Sequence, residues 1–400
     1  MTAVVVGVLR ETGGERRVAL DPKAVSTLTR QDRSVLVETG AGIAACFPDA
    51  DYEAAGAVVS SREAVLSDCD VLAVVHGPDD GLTSTLRSGQ MLIGLLDPLN
   101  NLTTIGRLAD AGVTTVAFEL LPRTLSRAQT MDALSSQSSA AGYRAAIVAA
   151  EAFGRYLPMM ITASGTATPA KVMVIGAGVA GLQAIATTKR LGAVVTGYDV
   201  REASRAEVES LGAAFLTRSV SQEAADDGYA TALSPEEETA QQAELAHALT
   251  SFDVIITTAK VPGRTPPVLV SADTLATLRH GSVCIDLGSS DQGGNVVGSV
   301  DGQRTTTAGG VTVIGAGELA SDLPTSASQM YARNVVAVIS SLVPQGEVVV
   351  DLMDEIHAAI VVTHQGAVIN PALRSAMELP PPSVVSTSVG SSTPATARAS

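Results

Sequence analysis

A short glycine-rich segment is the part of the sequence best suited to hold a ligand. It reads Gly176-Ala177-Gly178-Val179-Ala180-Gly181 and has the GxGxxG spacing of a dinucleotide-binding turn, between an apolar strand and a helix-forming segment. The first glycine of such a turn permits a sharp bend, the second admits the pyrophosphate, and the third allows close packing. Val179 and Ala180 open the helix whose N–H groups hold the phosphates. The alternative is a strand–helix turn that binds nothing.

An acidic residue downstream indicates which dinucleotide fits. Asp199 ends the next predicted strand, 18 residues after Gly181. A carboxylate there accepts hydrogen bonds from a ribose 2′-hydroxyl but repels a 2′-phosphate, at a cost of about 4 kcal/mol for charges roughly 4 Å apart at an effective dielectric of about 20. Arg201 and Arg205 lie nearby and offer charge to a phosphate. Because the acid stands where the ribose arrives, we predict NAD(H), with Val200 and Arg201 lining the site.

A second glycine motif, Gly315-Ala316-Gly317-Glu318-Leu319-Ala320, follows the apolar run at residues 311–314. No strand that ends in an acid follows about 20 residues later, because the downstream sequence has a helical pattern as far as residue 343. We therefore predict a structural turn here rather than a second dinucleotide site.

Apolar runs alternate with helix-like segments, which predicts an α/β fold of two Rossmann-like domains with parallel sheets. The predicted strands are residues 4–9, 35–38, 70–75, 91–96, 114–119, 171–175, 193–199, 254–258, 282–287, 311–314, 348–352 and 360–363. The shorter predicted helices are residues 22–30, 62–66, 102–111 and 178–191, and two long helices, 135–157 and 326–343, join the domains.

The two long helices define the expected domain limits. The first domain is discontinuous and takes residues 1–136 and 325–378, while residues 137–324 form the NAD(H)-binding domain. The acidic stretch 219–248 contains a predicted loop around residues 226–229. Residues 379–400 are rich in proline, serine and threonine, which predicts a disordered tail.

Composition excludes several classes of function. The formal net charge of −15 disfavours nucleic acid as a partner, because phosphates are repelled. Three scattered cysteines and five histidines show no metal-ligand spacing, so no metal is predicted. The N-terminus has no signal-peptide pattern, and no apolar run reaches the roughly 18–20 residues that cross a bilayer. These features predict a cytoplasmic chain.

Segments outside the glycine turn resemble one protein family. The most specific is SRAQTMDALSSQ at residues 126–137, with Pro122-Arg123 before it and AGYRA at residues 141–145 after it. DGYA at 227–230, TTA at 257–259, GGN at 293–295 and RRVA at 16–19 extend the match, which covers nearly the whole chain to about residue 378. The chain resembles the NAD(H)-binding alpha subunit of proton-translocating NAD(P) transhydrogenase, in the alanine dehydrogenase/transhydrogenase superfamily.

The resemblance implies a catalytic loop that orients the nicotinamide and faces an NADP(H)-binding partner. Its residues are Arg123, Arg127, Gln129, Asp132 and Ser135. Gln129 is expected to hold the carboxamide and one arginine to reach a phosphate or ribose. Because the spacing from Arg123 to Arg127 is one residue longer than the family pattern, either arginine can be that residue. The alternative is a linking loop that caps the helix beginning near Ser135.

Four further residues are placed at the cofactor site by the resemblance. Thr258 and Ala259 are expected to line the nucleotide, and Lys260 stands where the family has an apolar residue beside the nicotinamide. Tyr229 resembles a tyrosine on a mobile loop that closes over the nucleotide, and equally suits an exposed loop aromatic. His76, at a strand end, is expected to be a solvated turn residue rather than a catalyst.

The resemblance implies hydride transfer from NADH to NADP⁺, coupled to proton translocation by membrane partner subunits. Those partners are expected to carry the transmembrane channel and the NADP(H) site. This chain is expected to be a homodimer, peripheral on the inner face of the cell membrane, that binds NADH and catalyses no net reaction alone.

Two alternatives stay open. Alanine dehydrogenases share the fold but carry a lysine in the strand at 71–75 and a histidine near 91–96, where this chain has apolar residues and no histidine. Oxidation of an amino acid needs such an acid–base group, whereas transfer between two nicotinamides needs only their placement in contact. The second alternative is a non-enzymatic NAD-binding protein.

Overall fold

Strands and helices alternate along the chain and build two large sheets, and a third sheet consists of two short antiparallel strands, Met160–Thr162 and Gly165–Ala167. The computed structural model describes residues 4–217, 235–260, 263 and 265–380. The strands are β1 (Val5–Val8), β2 (Ser34–Glu38), β3 (Val58–Ser60), β4 (Val71–His76), β5 (Met91–Leu95), β6 (Thr114–Ala117), β7 (Met160–Thr162), β8 (Gly165–Ala167), β9 (Lys171–Ile175), β10 (Val194–Tyr198), β11 (Ala214–Phe215), β12 (Val254–Thr257), β13 (Val283–Asp286), β14 (Arg304–Thr306), β15 (Thr312–Gly315), β16 (Val361–His364) and β17 (Ala367–Val368).

Helices connect most of these strands. They are α1 (Pro22–Thr29), α2 (Asp49–Ala54), α3 (Arg62–Asp68), α4 (Asp80–Thr85), α5 (Leu102–Asp110), α6 (Ala133–Ala152), α7 (Val179–Arg190), α8 (Arg205–Ser210), α9 (Pro235–Leu249), α10 (Ala272–Thr277), α11 (Pro324–Leu342), α12 (Glu355–Ile360) and α13 (Pro371–Ala376). The first of them, α1, begins as its sequence predicts, because Asp21 caps it and Pro22 holds its first position.

The first sheet has eight strands in the order β17-β16-β6-β5-β4-β1-β2-β3. Its strands β1 to β6 are parallel and have the 3-2-1-4-5-6 order of a Rossmann domain, which confirms the predicted fold class. An antiparallel pair, β16 and β17, extends the edge at β6. The chain therefore returns to its first sheet near its C-terminal end.

The second sheet has a similar arrangement, built with residues from the middle of the chain. Its order is β11-β10-β9-β12-β13-β15-β14, parallel except for β14 at one edge. The strand order reverses between β9 and β12. In open α/β sheets, ligands bind beyond the carboxyl ends of the strands at such a reversal. The glycine turn follows β9 directly.

Two long helices, α6 and α11, pack against each other and reach both sheets. The apolar side of α11 is buried in the core of the first sheet, with Val335, Val338 and Ile339 fully covered. Small residues on α6, among them Ala145 and Ala149, are buried in the core of the second sheet. Each sheet therefore has its own hydrophobic core. The boundaries of the two domains, at residues 136/137 and 324/325, stay a prediction.

The structure corrects two expectations about secondary structure. Residues 348–352 form no strand, since β16 already occupies the edge of β6, and Val348 and Val349 are each 42 % exposed. The long helix predicted to residue 157 ends at Ala152, where Phe153 turns to an extended backbone. Tyr229 and residues 381–400 of the predicted tail lie outside the described residues. No helix in the described ranges is long and apolar enough to cross a bilayer.

A glycine in α6 allows that helix to touch the start of α7. A Cβ atom added at Gly142 falls 2.1 Å from the carbonyl oxygen of Ala180, so any side chain pushes the two helices apart. We expect Gly142→Ala to lower the free energy of unfolding by about 1–3 kcal/mol through overpacking, although alanine favours an isolated helix. Urea unfolding measures this effect.

Gly154→Ala is the matched control, because a Cβ atom at Gly154 meets no heavy atom within 4 Å. It should leave the unfolding midpoint nearly unchanged. A Gly142→Ala protein as stable as the unaltered chain would show that the helices are not held this closely.

Candidate functional site

The turn after β9 is tighter than any residue with a side chain allows. Gly176 has a φ of 96°, in the left-handed region, and its N–H donates to the Tyr198 carbonyl at 2.7 Å. A Cβ atom at Gly181 falls 1.8 Å from the Gly176 carbonyl oxygen. The first and third glycines are therefore required by the fold itself.

The fold does not require a glycine at the middle position of the motif, Gly178. Gly178 has an extended backbone, with φ −77° and ψ −170°, and a Cβ atom there meets open space. Gly178 is also the N-cap of α7 and makes no side-chain cap, so the first N–H groups of α7, from Val179 and Ala180, have no partner within their helix. An open cradle of N–H groups at a helix start fits a phosphate.

Asp199 lies against this turn and is buried. Its carboxylate accepts hydrogen bonds from the Ala177 N–H at 2.7 Å and from the Arg201 N–H at 2.8 Å. Burial raises the pKa of Asp199, but the hydrogen bonds from Arg201 and Ala177 outweigh burial, so its pKa lies below the ordinary aspartate value. The group is therefore ionised at neutral pH, as a hydrogen-bond acceptor for a ribose must be.

The two arginines that were candidates for a 2′-phosphate both have acidic partners. The guanidinium of Arg201 contacts Asp199 at 3.0 Å. Arg205 contacts Glu202 at 2.6 Å and Glu209 at 3.5 Å. Their charge is largely compensated, which favours a dinucleotide without the extra phosphate.

The segment after strand β12 contributes the opposite wall of the crevice. The Thr258 hydroxyl donates to the Gly176 carbonyl at 3.2 Å, which places Thr258 beside the glycine turn. Asn295 holds the next residue, since its amide oxygen accepts from the Ala259 N–H at 3.0 Å and its NH₂ donates to the Ala259 carbonyl at 2.8 Å. Lys260 follows and is exposed.

The predicted catalytic loop brings three of its five residues into one polar cluster. Asp132 caps α6 by accepting from the Ser135 N–H at 2.8 Å and the Ser135 hydroxyl at 2.7 Å. Arg123 joins both, at 3.0 Å from the Asp132 carboxylate and 2.8 Å from the Ser135 hydroxyl. Asp132 therefore caps α6, as the alternative interpretation of this loop expects.

The other two residues stand apart from this cluster. Arg127 pairs with Asp354, the N-cap of α12, and is about half exposed. The Arg127 guanidinium lowers the pKa of Asp354 to about 2. Gln129 is exposed, and its side chain makes no hydrogen bond to any residue in the described ranges. Of the two arginines, Arg123 is the one joined to Asp132 and Ser135.

The second glycine motif forms a closed turn. The N–H of Gly317 donates to the Asp301 carboxylate at 2.6 Å, and a Cβ atom at Gly317 falls 2.1 Å from the Ser289 carbonyl. A short 3-10 helix at Leu319–Asp322 follows, then α11. The Asp301 carboxylate thus already accepts from a backbone N–H that would face a phosphate in a nucleotide-binding turn.

His76 ends β4 with a side chain that is 41 % exposed, but it is also paired with acidic groups. Its Nε2 lies 2.7 Å from the carboxylate of Glu15, whose side chain is buried, and 3.6 Å from that of Glu318. The Arg17 guanidinium, also buried, contacts Glu15 at 2.7 Å and Glu318 at 3.5 Å. Glu318 belongs to the second glycine motif, so this cluster links the N-terminal loop, β4 and the turn after β15. Although three of its groups are common metal ligands, Arg17 already supplies positive charge there.

Sequence patterns do not reveal the residues whose hydrogen bonds support the candidate site. Asn295, Glu15 and Arg17 contact partners up to 306 positions away, and no periodicity marks them. Arg17 lies in the segment RRVA and Asn295 in the segment GGN, and both segments are noticeable only through the family resemblance. Polar contacts across the sheets are set by the fold, and the local pattern does not encode them.

Two family models match the chain in sequence. Residues 7–141 match "Alanine dehydrogenase/PNT, N-terminal domain" and residues 145–371 match "Alanine dehydrogenase/PNT, C-terminal domain". Together they cover both sheets and the site described above.

Individual relatives agree with the family models. NAD(P) transhydrogenase subunit alpha of Cereibacter sphaeroides is 39% identical over 364 residues, 90% of this chain and 69% of that protein. Alanine dehydrogenase of Mycobacterium tuberculosis is 33% identical over 317 residues, 76% of each chain. The crystal structure of transhydrogenase from Sinorhizobium meliloti has a TM-score of 0.80 and 40% identity, covering 92% of this chain and 99% of that one.

The His76 cluster makes a prediction about stability and pH. Burial lowers the pKa of His76, but the hydrogen bond to Glu15 and the other acidic charge raise it by more, so its pKa is higher than in the unfolded chain. The stabilisation is full below about pH 6.5 and is lost as the pH rises through the raised value. We expect the difference in unfolding free energy between the unaltered chain and His76→Gln to shrink from pH 6 to pH 9, in denaturant titrations.

His364 is the control, because burial lowers its pKa and the sign reverses. For His364→Gln the same difference should grow with pH. A difference for His76→Gln that is constant over this range would mean that folding leaves the pKa of His76 unchanged, and one that grows with pH would mean that His76 is uncharged in the folded protein.

Proposed function

The chain belongs to the alanine dehydrogenase/PNT family, and we propose that within it this protein is the NADH-binding alpha subunit of a proton-translocating NAD(P) transhydrogenase. Its similarity to NAD(P) transhydrogenase alpha subunits, at 36–40% identity over most of the chain, assigns it to the oxidoreductases. The observation that carries the proposal is the glycine turn after β9, with ionised Asp199 against it.

The turn is proposed to hold NADH by its two phosphates and its adenosine ribose. The N–H groups of Val179 and Ala180 face the pyrophosphate over Gly178, and the Asp199 carboxylate accepts from the ribose. Thr258 and Ala259 form the opposite wall. Because Arg201 is paired with Asp199, neither residue favours a 2′-phosphate at this site.

The catalytic loop is proposed to place the nicotinamide. Arg123, Asp132 and Ser135 hold one another at the start of α6, and Gln129 extends from the same loop with its amide exposed. Nine residues of α6, about 13 Å at 1.5 Å per residue, separate Ala133 from Gly142, which touches the glycine turn. Helix α6 thus spans from the pyrophosphate to the loop. Bound NADH supplies the hydride, and these residues orient its ring.

The partners complete the proposal. The name "subunit alpha" of the relatives implies further subunits, and we propose that these carry the NADP(H) site and the membrane channel. Transfer between two nicotinamides requires them to meet in contact and requires no acid–base group. The chain is then a peripheral subunit on the inner face of the membrane, and a homodimer.

A second candidate, an amino-acid dehydrogenase, is favoured by one observation. His76 and Arg17 lie 3.0 Å apart in the first domain, as an acid–base group and a carboxylate-binding group would. Glu15, however, contacts both at 2.7 Å with a side chain only 4 % exposed. An acid substrate would have to displace this buried carboxylate, so we favour the transhydrogenase.

A mixing experiment tests the proposed function and the choice of arginine together. With the NADP(H)-binding subunit of a transhydrogenase, the unaltered chain should transfer deuterium from labelled NADH to NADP⁺, detected by mass spectrometry. Arg123→Ala should slow the transfer by about 100-fold through misplacement of the loop. Arg127→Ala removes only an exposed ion pair with Asp354 and should change the rate less than about fivefold.

Each alternative has its own outcome in this assay. Reduction of NAD⁺ by alanine or another amino acid, without any partner, would identify an amino-acid dehydrogenase. A chain that binds NADH yet transfers no label with the partner would be a binding protein only. If Arg127→Ala is the damaging variant, the assignment of Arg123 is wrong.

A further inference from the structure

Four side chains form a continuous hydrogen-bonded chain that ends on the catalytic loop. The Arg17 Nη1 donates to the Gln137 amide oxygen at 2.9 Å, and the Gln137 Nε2 donates to the Ser136 hydroxyl at 3.1 Å. That hydroxyl donates to the Asn334 Oδ1 at 2.8 Å, and the Asn334 Nδ2 donates to the Thr130 carbonyl at 2.9 Å. Arg17, Gln137 and Asn334 are all buried.

The direction of this chain is fixed by chemistry. A guanidinium donates only, so the amide oxygen of Gln137 must face Arg17 and its NH₂ must face Ser136. The Ser136 hydroxyl has two acceptors, the Asn334 Oδ1 at 2.8 Å and the Ala133 carbonyl at 3.1 Å. The NH₂ of Asn334 must face Thr130, because a carbonyl only accepts. Donors that all point the same way polarise one another, which strengthens the last bond.

Thr130 lies in the exposed part of the loop, where the hydrogen bond from Asn334 fixes the backbone. Ala128 and Met131 are buried and anchor the loop, while Gln129 and Thr130 between them are exposed. The Gln129 side chain makes no hydrogen bond to the described residues, so its position depends on its backbone. The carbonyl of Thr130, the next residue, is held by Asn334 on α11.

We infer that Asn334 is a positioning residue for hydride transfer, because its amide holds the Thr130 carbonyl and thereby the exposed Gln129 beside it. The inference rests on the proposed function, in which Gln129 holds the nicotinamide carboxamide. Asn334 touches neither nucleotide in this account. It acts through the loop, and its amide is oriented by the Thr130 carbonyl on one side and the Ser136 hydroxyl on the other.

The variant Asn334→Asp tests this role with almost no change in shape. An ionised carboxylate still accepts from Ser136 but repels the Thr130 carbonyl, whereas the protonated acid can donate to it. We expect single-turnover transfer of deuterium to NADP⁺, with the partner subunit present, to fall about 10–100-fold at pH 8. Binding of NADH, measured by calorimetry, should stay within about threefold, and the rate should recover as the pH is lowered and the carboxyl is protonated.

Tyr331→Phe is the matched control on the same helix. It removes a buried hydroxyl that donates to the Val74 carbonyl at 2.7 Å, a strand residue outside the loop. We expect it to lower the melting temperature while the transfer rate stays within about twofold. Ser136→Ala, which removes the donor to Asn334, should give a smaller loss of rate than Asn334→Asp and serves if the latter does not fold.

The outcomes separate this inference from the proposed function. An active unaltered chain with an equally active Asn334→Asp, or with Tyr331→Phe equally impaired, overturns the positioning role alone. A loss in Asn334→Asp that is the same at every pH, or that matches an equal loss of NADH affinity, also overturns it. An unaltered chain that transfers no label with the partner overturns both.

Discussion

The close contact between the Gly176 carbonyl and the Cα of Gly181 is the constraint on which the second domain depends. Only glycine at residue 181 allows α7 to start directly over the end of β9. With α7 in that place, Gly142 lets α6 touch the Ala180 carbonyl, and α6 carries the loop at Asp132 to its position. The turn proposed to bind the nucleotide, the long helix and the loop proposed to be catalytic are therefore positioned by these close backbone contacts. A larger residue at any of these glycines displaces all that follows.

Two buried acidic side chains near the proposed site have basic partners, which explains how their charges are tolerated there. Asp199 is buried with Arg201, and Glu15 is buried with Arg17 and His76. A buried charge without a partner is costly, whereas each of these is compensated by hydrogen bonds. The same arrangement leaves the exposed amide of Gln129 and the N–H groups of α7 as groups available to a ligand. The site is thus polar where the nucleotide is proposed to lie and neutral behind it.

Much of this fold follows from sequence alone, because parallel strands buried on both faces are apolar runs and glycine turns have fixed spacing. Both parallel sheets and the turn at Gly176 were predictable for that reason. The strand predicted at residues 348–352 was wrong, because an apolar, β-branched segment forms a strand only where the edge of a sheet is free to pair with it. The contacts that join Arg123, and not Arg127, to Asp132 and Ser135 are recorded by no local pattern, and neither is the hydrogen-bonded chain from Arg17 to Thr130. The sequence resemblance named the loop, but only the fold orders its residues.

The central claim is that the nucleotide diphosphate lies over Gly178, where the fold leaves open space. Calorimetric titration of NADH against the unaltered chain and Gly178→Ala tests it most directly, because a methyl group there fits the free protein. We expect the unaltered chain to bind NADH and the variant, with an unchanged unfolding midpoint, to lose about 3 kcal/mol of binding free energy, roughly a hundredfold in Kd. Equal binding by both proteins, or no binding by the unaltered chain, would contradict it.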